Sequence, residues 1–477
     1  MIRGMPPQRK QIYQSSHIKS IGLKYAQQTT TNQRLNLFKM PTKTNRTKVF
    51  IKDLGQHVGK EITIQGWMFN KRSGKGIQFL QLRDGSGVVQ GIVFDKTESS
   101  ELFKIADSLT PESSLTITGD VTKHPKLEDT YELQVKKIDP IQIPADDYPI
   151  AKKEHGPDFL LENRHLWLRS SKQRAIQIVR NTIINGIYEY LNGQGFIKID
   201  SPILTPNACE GTTELFEVEY FDEGSAYLAQ SGQLYIEAAI FSVGRCFDFG
   251  PVFRAEKSKT RRHLTEFWMM DAEAAFVEHE ENMKIQEGLI EYVVKKVLAK
   301  NLKELATLER NIEPLKKIEA PFIRKTHAEV VKELRGMGSD IKDNDDLGGD
   351  DETILTKKYD KPIFVEKYPA EVKAFYMKRD PADPSRALCA DLLAPEGYGE
   401  IIGGSQREDD YDVLLSRIRE HKLSEKAFAW YLDLRKYGSV PHSGFGIGLE
   451  RLTGWICGTE HIRETIPFPR MINRIYP

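Results

Sequence analysis

Only four cysteines occur in 477 residues, Cys209, Cys246, Cys389 and Cys457, and no two of them form a C-x-x-C pair. That spacing suggests neither a disulfide framework nor a zinc site and fits a reducing compartment, and the cytoplasm is the expected location. No run of 18 apolar residues occurs, so neither a membrane span nor a membrane partner is expected. The G-x-x-x-x-G-K-S/T pattern is also missing, which removes a P-loop from consideration. Acidic residues are absent from the start of the chain. Residues 1–52 carry 11 Lys/Arg and no Asp or Glu, which leaves 57 Lys/Arg against 68 Asp/Glu in the remainder, a net −11 hidden beneath a formal zero.

What is present describes an ordinary globular chain: 39% hydrophobic and 29% charged residues, at a length that calls for two or more domains. The basic, Ser/Thr/Gln-rich opening has three open readings. These are an organelle transit peptide, a disordered RNA-binding arm, or an overcalled start with Met40 as the first residue. Between 48 and 140 the sequence breaks into short alternating runs at 61–69, 76–84, 88–94, 114–121 and 131–138, separated by Gly and Asp turns. Five strands in about 90 residues fit a small Greek-key barrel of the OB type. A polar, proline-bearing stretch follows (PADDYPIAKKEHGPDF, 144–159) and reads as a hinge. Next comes a helix with apolar residues at Ile176, Val179, Ile183, Ile187 and Leu191, closed by Gly193. Strand-like runs at 227–276 and 387–404, with charged helical segments such as 278–310 between them, argue α+β rather than alternating βαβ. The acidic segment 339–352 (SDIKDNDDLGGDDE) reads as a solvated surface loop.

The most informative stretch is 246–276, CFDFGPVFRAEKSKTRRHLTEFWMMDAEAAF. Arg254 and Glu256 stand two apart before a basic turn of Lys257, Lys259, Arg261 and Arg262. An Arg fork takes a phosphate bidentately, a Glu accepts from a base amino group, and Phe267 is placed to stack on a planar ring. This pattern suits a nucleotide.

The segment resembles motif 2 of the class II aminoacyl-tRNA synthetases, in the FRxE…RHLxEF form of the aspartyl, asparaginyl and lysyl group. GFIKIDSPILTP (195–206) resembles motif 1, and GFGIGLERL (444–452), with its Glu450–Arg451 pair, resembles motif 3. The likeness runs from about residue 48 to the end. It implies an α+β fold, with an N-terminal OB-type β-barrel followed by a class II catalytic domain built on an antiparallel sheet flanked by helices. The expected boundaries are a basic disordered extension at 1–47, an anticodon-binding barrel at 48–140, a hinge at 141–165 and the catalytic domain at 166–477.

The resemblance also implies roles. ATP would be held by Arg254, Glu256, Arg262, His263, Phe267, Glu400 and Arg451. Of these, Arg254 would take the α-phosphate and Arg451 the γ-phosphate. Mg2+ would sit on Asp391 and Glu400, since hard cations want carboxylate oxygens beside phosphates. Arg254, Arg451 and Glu400 would carry the catalysis. The amino acid would be met by Glu210 of a closing loop, by Gln233, Asp271 and Arg407. His442 would either touch a phosphate or pack.

Aspartyl enzymes typically show SPQLxKQ where this chain has SGQLYIE (231–237). Ile236 stands in place of the Lys that pairs with an aspartate carboxylate. Arg407 donating to an amide oxygen, with an acid accepting from its NH2, fits a carboxamide. The expected substrates are therefore asparagine, ATP and tRNA(Asn). An aspartyl enzyme is the alternative, because Asp271 is shorter than the Glu usual in asparaginyl relatives. Phe79, Gln90 and Glu132 match anticodon-reading positions, stacking and hydrogen bonding being the logic for splayed RNA bases. Arg72 and Lys75 would meet phosphates. Motif 1, with Pro202, implies a homodimer.

Overall fold

The computed structural model describes residues 48–150, 153–206 and 214–477. The expected extension at 1–47 lies outside the described residues. Two compact units divide at Pro149 and Ile150.

The first unit is a closed barrel. Its strands are β1 (Glu61–Gly74), β2 (Ile77–Arg83), β3 (Val88–Phe94), β4 (Ser113–Lys123) and β5 (Tyr131–Gln142), in the order β1-β2-β3-β5-β4. One helix that the strand-only reading missed, α1 (Glu101–Ser108), lies between β3 and β4, started by the Ser100 hydroxyl accepting from the Phe103 amide. Alternation decides the two faces. Leu80, Leu82, Val89, Val93, Ile117 and Leu133 fill the barrel, and in β2 and β3 the residues that alternate with the buried ones are the more exposed.

The second unit opens with α2 (Pro157–Glu162) and α3 (Arg164–Trp167), so helix occupies part of the stretch read as a hinge. Arg164 is fully buried there. Its guanidinium donates to the carbonyls of Pro467, Ile466 and Glu464, which ties this segment to the C-terminal end. After α4 (Ser171–Gly193), the chain forms β6 (Ile197–Lys198), β7 (Leu204–Thr205), β8 (Glu217–Glu219), β9 (Ser225–Leu228), α5 (Gln233–Val243), β10 (Arg245–Phe253), β11 (Glu266–Ala275) and α6 (His279–Lys300). Then come α7 (Leu302–Thr307), α8 (Glu313–Lys316), β12 (Ile323–Thr326), α9 (His327–Gly336), α10 (Gly349–Thr356), β13 (Ile363–Glu366), β14 (Arg379–Asp380) and β15 (Asp383–Ala387). β16 (Cys389–Ala394), β17 (Gly399–Gln406), α11 (Tyr411–Glu420), α12 (Ala429–Lys436), β18 (His442–Gly448) and α13 (Leu449–Cys457) complete the unit.

Eight of these strands form one sheet in the order β12-β13-β16-β17-β18-β11-β10-β6. Its interior pairs are antiparallel, with a parallel strand at each edge. The five apolar residues of α4 are all buried with Val293 and Val294 of α6 against the sheet core, each worth roughly 1.5–3 kcal/mol relative to exposure. Gly193 is the last residue of α4, as expected. The glycine that turns the chain out of it is Gly195, at φ +81°.

Two sequence expectations are corrected. α5 interrupts the strand-like region 227–276, because Gln233–Val243 packs Ile236 and Ile240 against Cys246 as a helix. The acidic segment 339–352 is only partly a surface loop. It runs into α10, and Glu352 of that helix is drawn inward by Arg262.

Candidate active site

The sheet centre is built around one close approach. On β11, Asp271 and Glu273 lie opposite Gly446 and Gly444 of β18. A Cβ at 446 would come 2.7 Å from Asp271 Oδ1, and one at 444 would overlap the Glu273 carboxylate. Glycine at these two positions is what lets two acids stand in the middle of a packed sheet.

Two clefts meet there. The larger, about 510 Å³, is lined by Arg254, Glu256, Arg262, His263, Phe267, Glu400 and Arg451 among others. The smaller, about 310 Å³, is lined by Ser231, Gln233, Asp271, Lys373, Tyr376, Asp391 and Arg407 among others. Arg254, Met269, Glu400 and Gly446 line both, so the clefts adjoin.

In the larger cleft, Glu256 Oε2 is buried and lacks a hydrogen-bond partner among the described residues. An unpaired buried acceptor costs free energy until a donor arrives, and the amino group of an adenine is such a donor. Phe267 lines the same cleft. Arg451 Nη1 donates to Glu400 Oε2 at 2.7 Å. Burial alone would push Glu400 upward, but the Arg451 guanidinium and Lys373 reverse this and hold it below its ordinary value. Arg262 faces the cleft with its guanidinium already engaged, donating to Glu352 Oε2 at 2.8 Å, Thr353 Oγ1 at 2.6 Å and the Gly397 carbonyl at 2.7 Å. His263 Nδ1 meets the hydroxyls of Ser258 and Thr260 within the basic turn.

Between the clefts, Asp391 and Glu400 occupy neighbouring strands. A Cβ on Gly403 would lie 3.1 Å from Glu400 Oε1 and 3.6 Å from Asp391 Oδ1, so both carboxylates border that glycine. Lys373 Nζ donates to Asp391 Oδ2 at 3.0 Å and to Asp346 Oδ1 at 3.2 Å. Burial, with the charge of Glu400 adding to it, pushes Asp391 up to about 6 and Glu352 up to about 7. Acids crowded in this way are relieved by a cation, and the all-oxygen donor set suits a hard one.

In the smaller cleft, Asp271 Oδ2 accepts from the Ser231 hydroxyl and the Gly232 amide, each at 2.9 Å. Burial pushes this carboxyl up to about 6. Arg407 grips Glu273 with Nε and Nη2 and donates from Nη1 to Ser405 Oγ at 2.6 Å. Burial and the nearby acids push Glu273 upward while Arg407 pulls it back, and the two-pronged geometry is that of an ionised pair. The Arg407 guanidinium also lies 5.2 Å from the Tyr376 ring centre.

Of the residues expected from the sequence, Glu210 lies outside the described residues. Every other residue of the catalytic-domain set lines one of the two clefts. His442 is fully buried, with Nδ1 donating to the Val440 carbonyl at 2.8 Å, so of its two open readings it takes the packing one. Ile236 is walled off against Ile240 and Cys246 instead of standing in the cleft. Sequence reasoning missed Glu273 as the partner of Arg407, and it also missed Glu237, Glu352 and Lys373. A lysine inside the apolar run of EVKAFYM was a usable signal for Lys373.

In the barrel unit, Phe79 lies on the outer face between Arg72 of β1 and Ile92 of β3. A polar row, Asn70–Gln81–Gln90–Glu132, crosses four strands on that side. Asn70 Nδ2 donates to Gln81 Oε1 at 2.7 Å and Gln90 Nε2 to Glu132 Oε1 at 2.9 Å.

Comparison with known families agrees with this architecture. A family described as tRNA synthetases class II (D, K and N) matches residues 156–472, and an OB-fold nucleic acid binding domain family matches 62–141. The chain belongs to the class II tRNA synthetases. It is 52% identical over 430 residues to the asparagine–tRNA ligase of Pelotomaculum thermopropionicum, covering 90% of this chain and all of that one. The asparaginyl-tRNA synthetase of Pyrococcus horikoshii, solved with asparaginyl-adenylate, has a TM-score of 0.87 at 43% identity, over 90% of this chain and 99% of that one. The asparaginyl-tRNA synthetase of Entamoeba histolytica, also solved with asparaginyl-adenylate, has a TM-score of 0.83 at 32% identity, over 91% of this chain and 100% of that one. Within the class, the chain stands with the asparagine–tRNA ligases.

Proposed function

We propose that this chain activates asparagine with ATP, through asparaginyl-adenylate, and transfers it to tRNA(Asn). The observation that carries the reading is the junction of the two clefts at Arg254. This cation has no hydrogen-bond partner among the described residues, and it stands between the nucleotide wall and the amino-acid wall. The asparagine carboxylate attacks the α-phosphorus and pyrophosphate leaves. Arg254 faces the oxygens on which negative charge builds, and charge-matched positioning of this kind is the main source of rate in phosphoryl chemistry. Glu256 accepts from the adenine amino group, Phe267 stacks on the ring, and Arg451 meets the γ-phosphate. Arg262 acts by fixing α10 beside the nucleotide. Asp391 and Glu400 would hold Mg2+, which when bound offsets phosphate charge.

Asparagine is favoured over aspartate by the state of the cations. Arg407 is neutralised by Glu273 and Lys373 by Asp391 and Asp346, so these two cations, unlike Arg254 at the cleft junction, offer donors to a neutral side-chain amide without spare charge for a side-chain carboxylate. Arg407 donates to the amide oxygen and Asp271 Oδ1 accepts from the amide NH2. Glu210 would meet the ammonium group.

On the barrel, Phe79 stacks on an anticodon base, Gln90 and Glu132 read base edges, and Arg72 and Lys75 meet phosphates. Motif 1 supports a homodimer through apolar residues left open to solvent, Ile197 at 48%, Ile203 at 45% and Leu204 at 41%. The chain acts in the cytoplasm. The deciding experiment is ATP–pyrophosphate exchange with asparagine and aspartate side by side. Exchange with asparagine alone supports the reading, and exchange with aspartate moves the chain to the aspartyl branch.

A further inference from the structure

Gln233 opens α5 and its amide lines the smaller cleft. Glu237, one helical turn on, lies behind it with no exposed surface. Gln233 Nε2 donates to Glu237 Oε1 at 3.0 Å. The other carboxylate oxygen accepts from Tyr431 Oη at 2.7 Å, Arg435 Nη2 at 2.9 Å and His442 Nε2 at 3.1 Å. Against the desolvation of complete burial, Arg435 and His442 hold this carboxyl well below the usual carboxylate range. Glu237 is therefore ionised and can only accept hydrogen bonds.

An amide side chain has one end that donates and one that accepts, and its surroundings decide which way it points. Beside an acceptor-only carboxylate, the Gln233 NH2 must turn inward, and its carbonyl oxygen is left to face the cleft. The frame behind it is rigid. Arg435 Nε donates to the Glu408 carbonyl at 2.9 Å and lies 4.3 Å over the Tyr431 ring, and His442 is fixed at both nitrogens. The Ser231 hydroxyl accepts from the Gln233 backbone N–H at 3.0 Å and donates to Asp271 at 2.9 Å, which ties the start of α5 to Asp271.

We infer that Glu237 is a positioning residue: it fixes the Gln233 amide, which the family resemblance already gives to the substrate amino group alongside Glu210, with its oxygen toward the cleft and so toward the α-ammonium. The inference rests on the amino-acid-activating reading given above. Glu237 never touches the substrate, and its effect passes wholly through Gln233.

The test compares asparagine with succinamate, the same molecule without its ammonium group. Glu237→Gln lets the Gln233 amide rotate, because the new side chain can accept or donate. In ATP–pyrophosphate exchange the KM for asparagine should rise by about tenfold to a hundredfold, the worth of a hydrogen bond to a charged group. The KM for ATP and the inhibition constant of succinamate should stay where they are. Equal weakening of asparagine and succinamate, or an unchanged asparagine KM, overturns the inference. If Glu237→Gln does not fold, Glu237→Asp keeps the buried charge beside Arg435 while drawing it away from Gln233, and must give the same pattern. If the wild-type chain activates another amino acid, the substrate reading falls, and the same comparison is made with that amino acid and its desamino analogue.

Discussion

Glu450 and Arg451 are neighbours in the chain and do different jobs. Glu450 is buried, with one oxygen accepting from Arg180 of α4 at 2.7 Å and the other from the Trp268 amide at 3.0 Å. Arg451 reaches into the cleft to Glu400 at 2.7 Å. One residue fastens α13 to the helix layer and to β11. The next presents a cation whose height over the sheet that fastening sets.

The contrast with Arg254 gives the first prediction. Arg254→Ala orphans no protein group among the described residues, so its cost should fall on chemistry. ATP–pyrophosphate exchange should drop by about a hundredfold to a thousandfold or more, as when a charge-stabilising donor is lost. The melting temperature should barely move. Normal exchange would remove Arg254 from the role given to it.

Asp271 sets a pH dependence. Its carboxyl is pushed up to about 6 by burial, and because Oδ2 already accepts two hydrogen bonds, a proton arriving there sits on Oδ1. Protonated, Oδ1 donates toward an amide NH2 that is itself a donor. The asparagine KM should therefore rise as pH falls through 6, and preference over aspartate should shrink with it. For stability the sign is the usual one for a raised acid. The folded state favours the protonated form, a contribution present at low pH and lost as pH rises through 6. Asp271→Asn should accordingly gain more stability near neutral pH than near pH 4, measured by denaturant unfolding at both.

The Arg407–Glu273 pair separates stability from activity. Arg407→Met alone leaves a buried carboxylate unpaired and should cost about 3–5 kcal/mol in urea unfolding. Adding Glu273→Gln should recover much of that loss. Neither variant should activate asparagine, since the donor to the amide oxygen is gone in both. Recovery of exchange in the double variant would show that Arg407 is structural.

Phe79 tests the barrel. Its ring stands among outward-facing residues, so Phe79→Ala should leave the fold and adenylate formation intact. Aminoacylation should weaken by the roughly 1–3 kcal/mol that stacking one base contributes. Parallel loss of exchange and charging would place the ring in the core.

Much of this was legible because the signals were local. The period-two runs named all five barrel strands, and motifs 2 and 3 picked out Arg254, Glu256 and Arg451, which the fold brings into one cleft with Glu400. The unread parts depend on distant partners. Nothing near Glu237 in the sequence announces Arg435 or His442, about 200 positions on, and Glu352 sits in a stretch whose acidity argued for solvent. α5 was hidden by its composition, since QLYIEAAIFSV is apolar on nearly every face and carries no helical period to see.

The unpaired oxygen of Glu256 reaches further than one contact. A purine bearing a carbonyl where adenine has its amino group would bring acceptor against acceptor in a place water reaches poorly. Guanosine and inosine triphosphates, equal to ATP in phosphate and ribose, should fail as fuel on that ground alone. The choice of energy currency would thus rest on one carboxylate oxygen that no donor among the described residues engages.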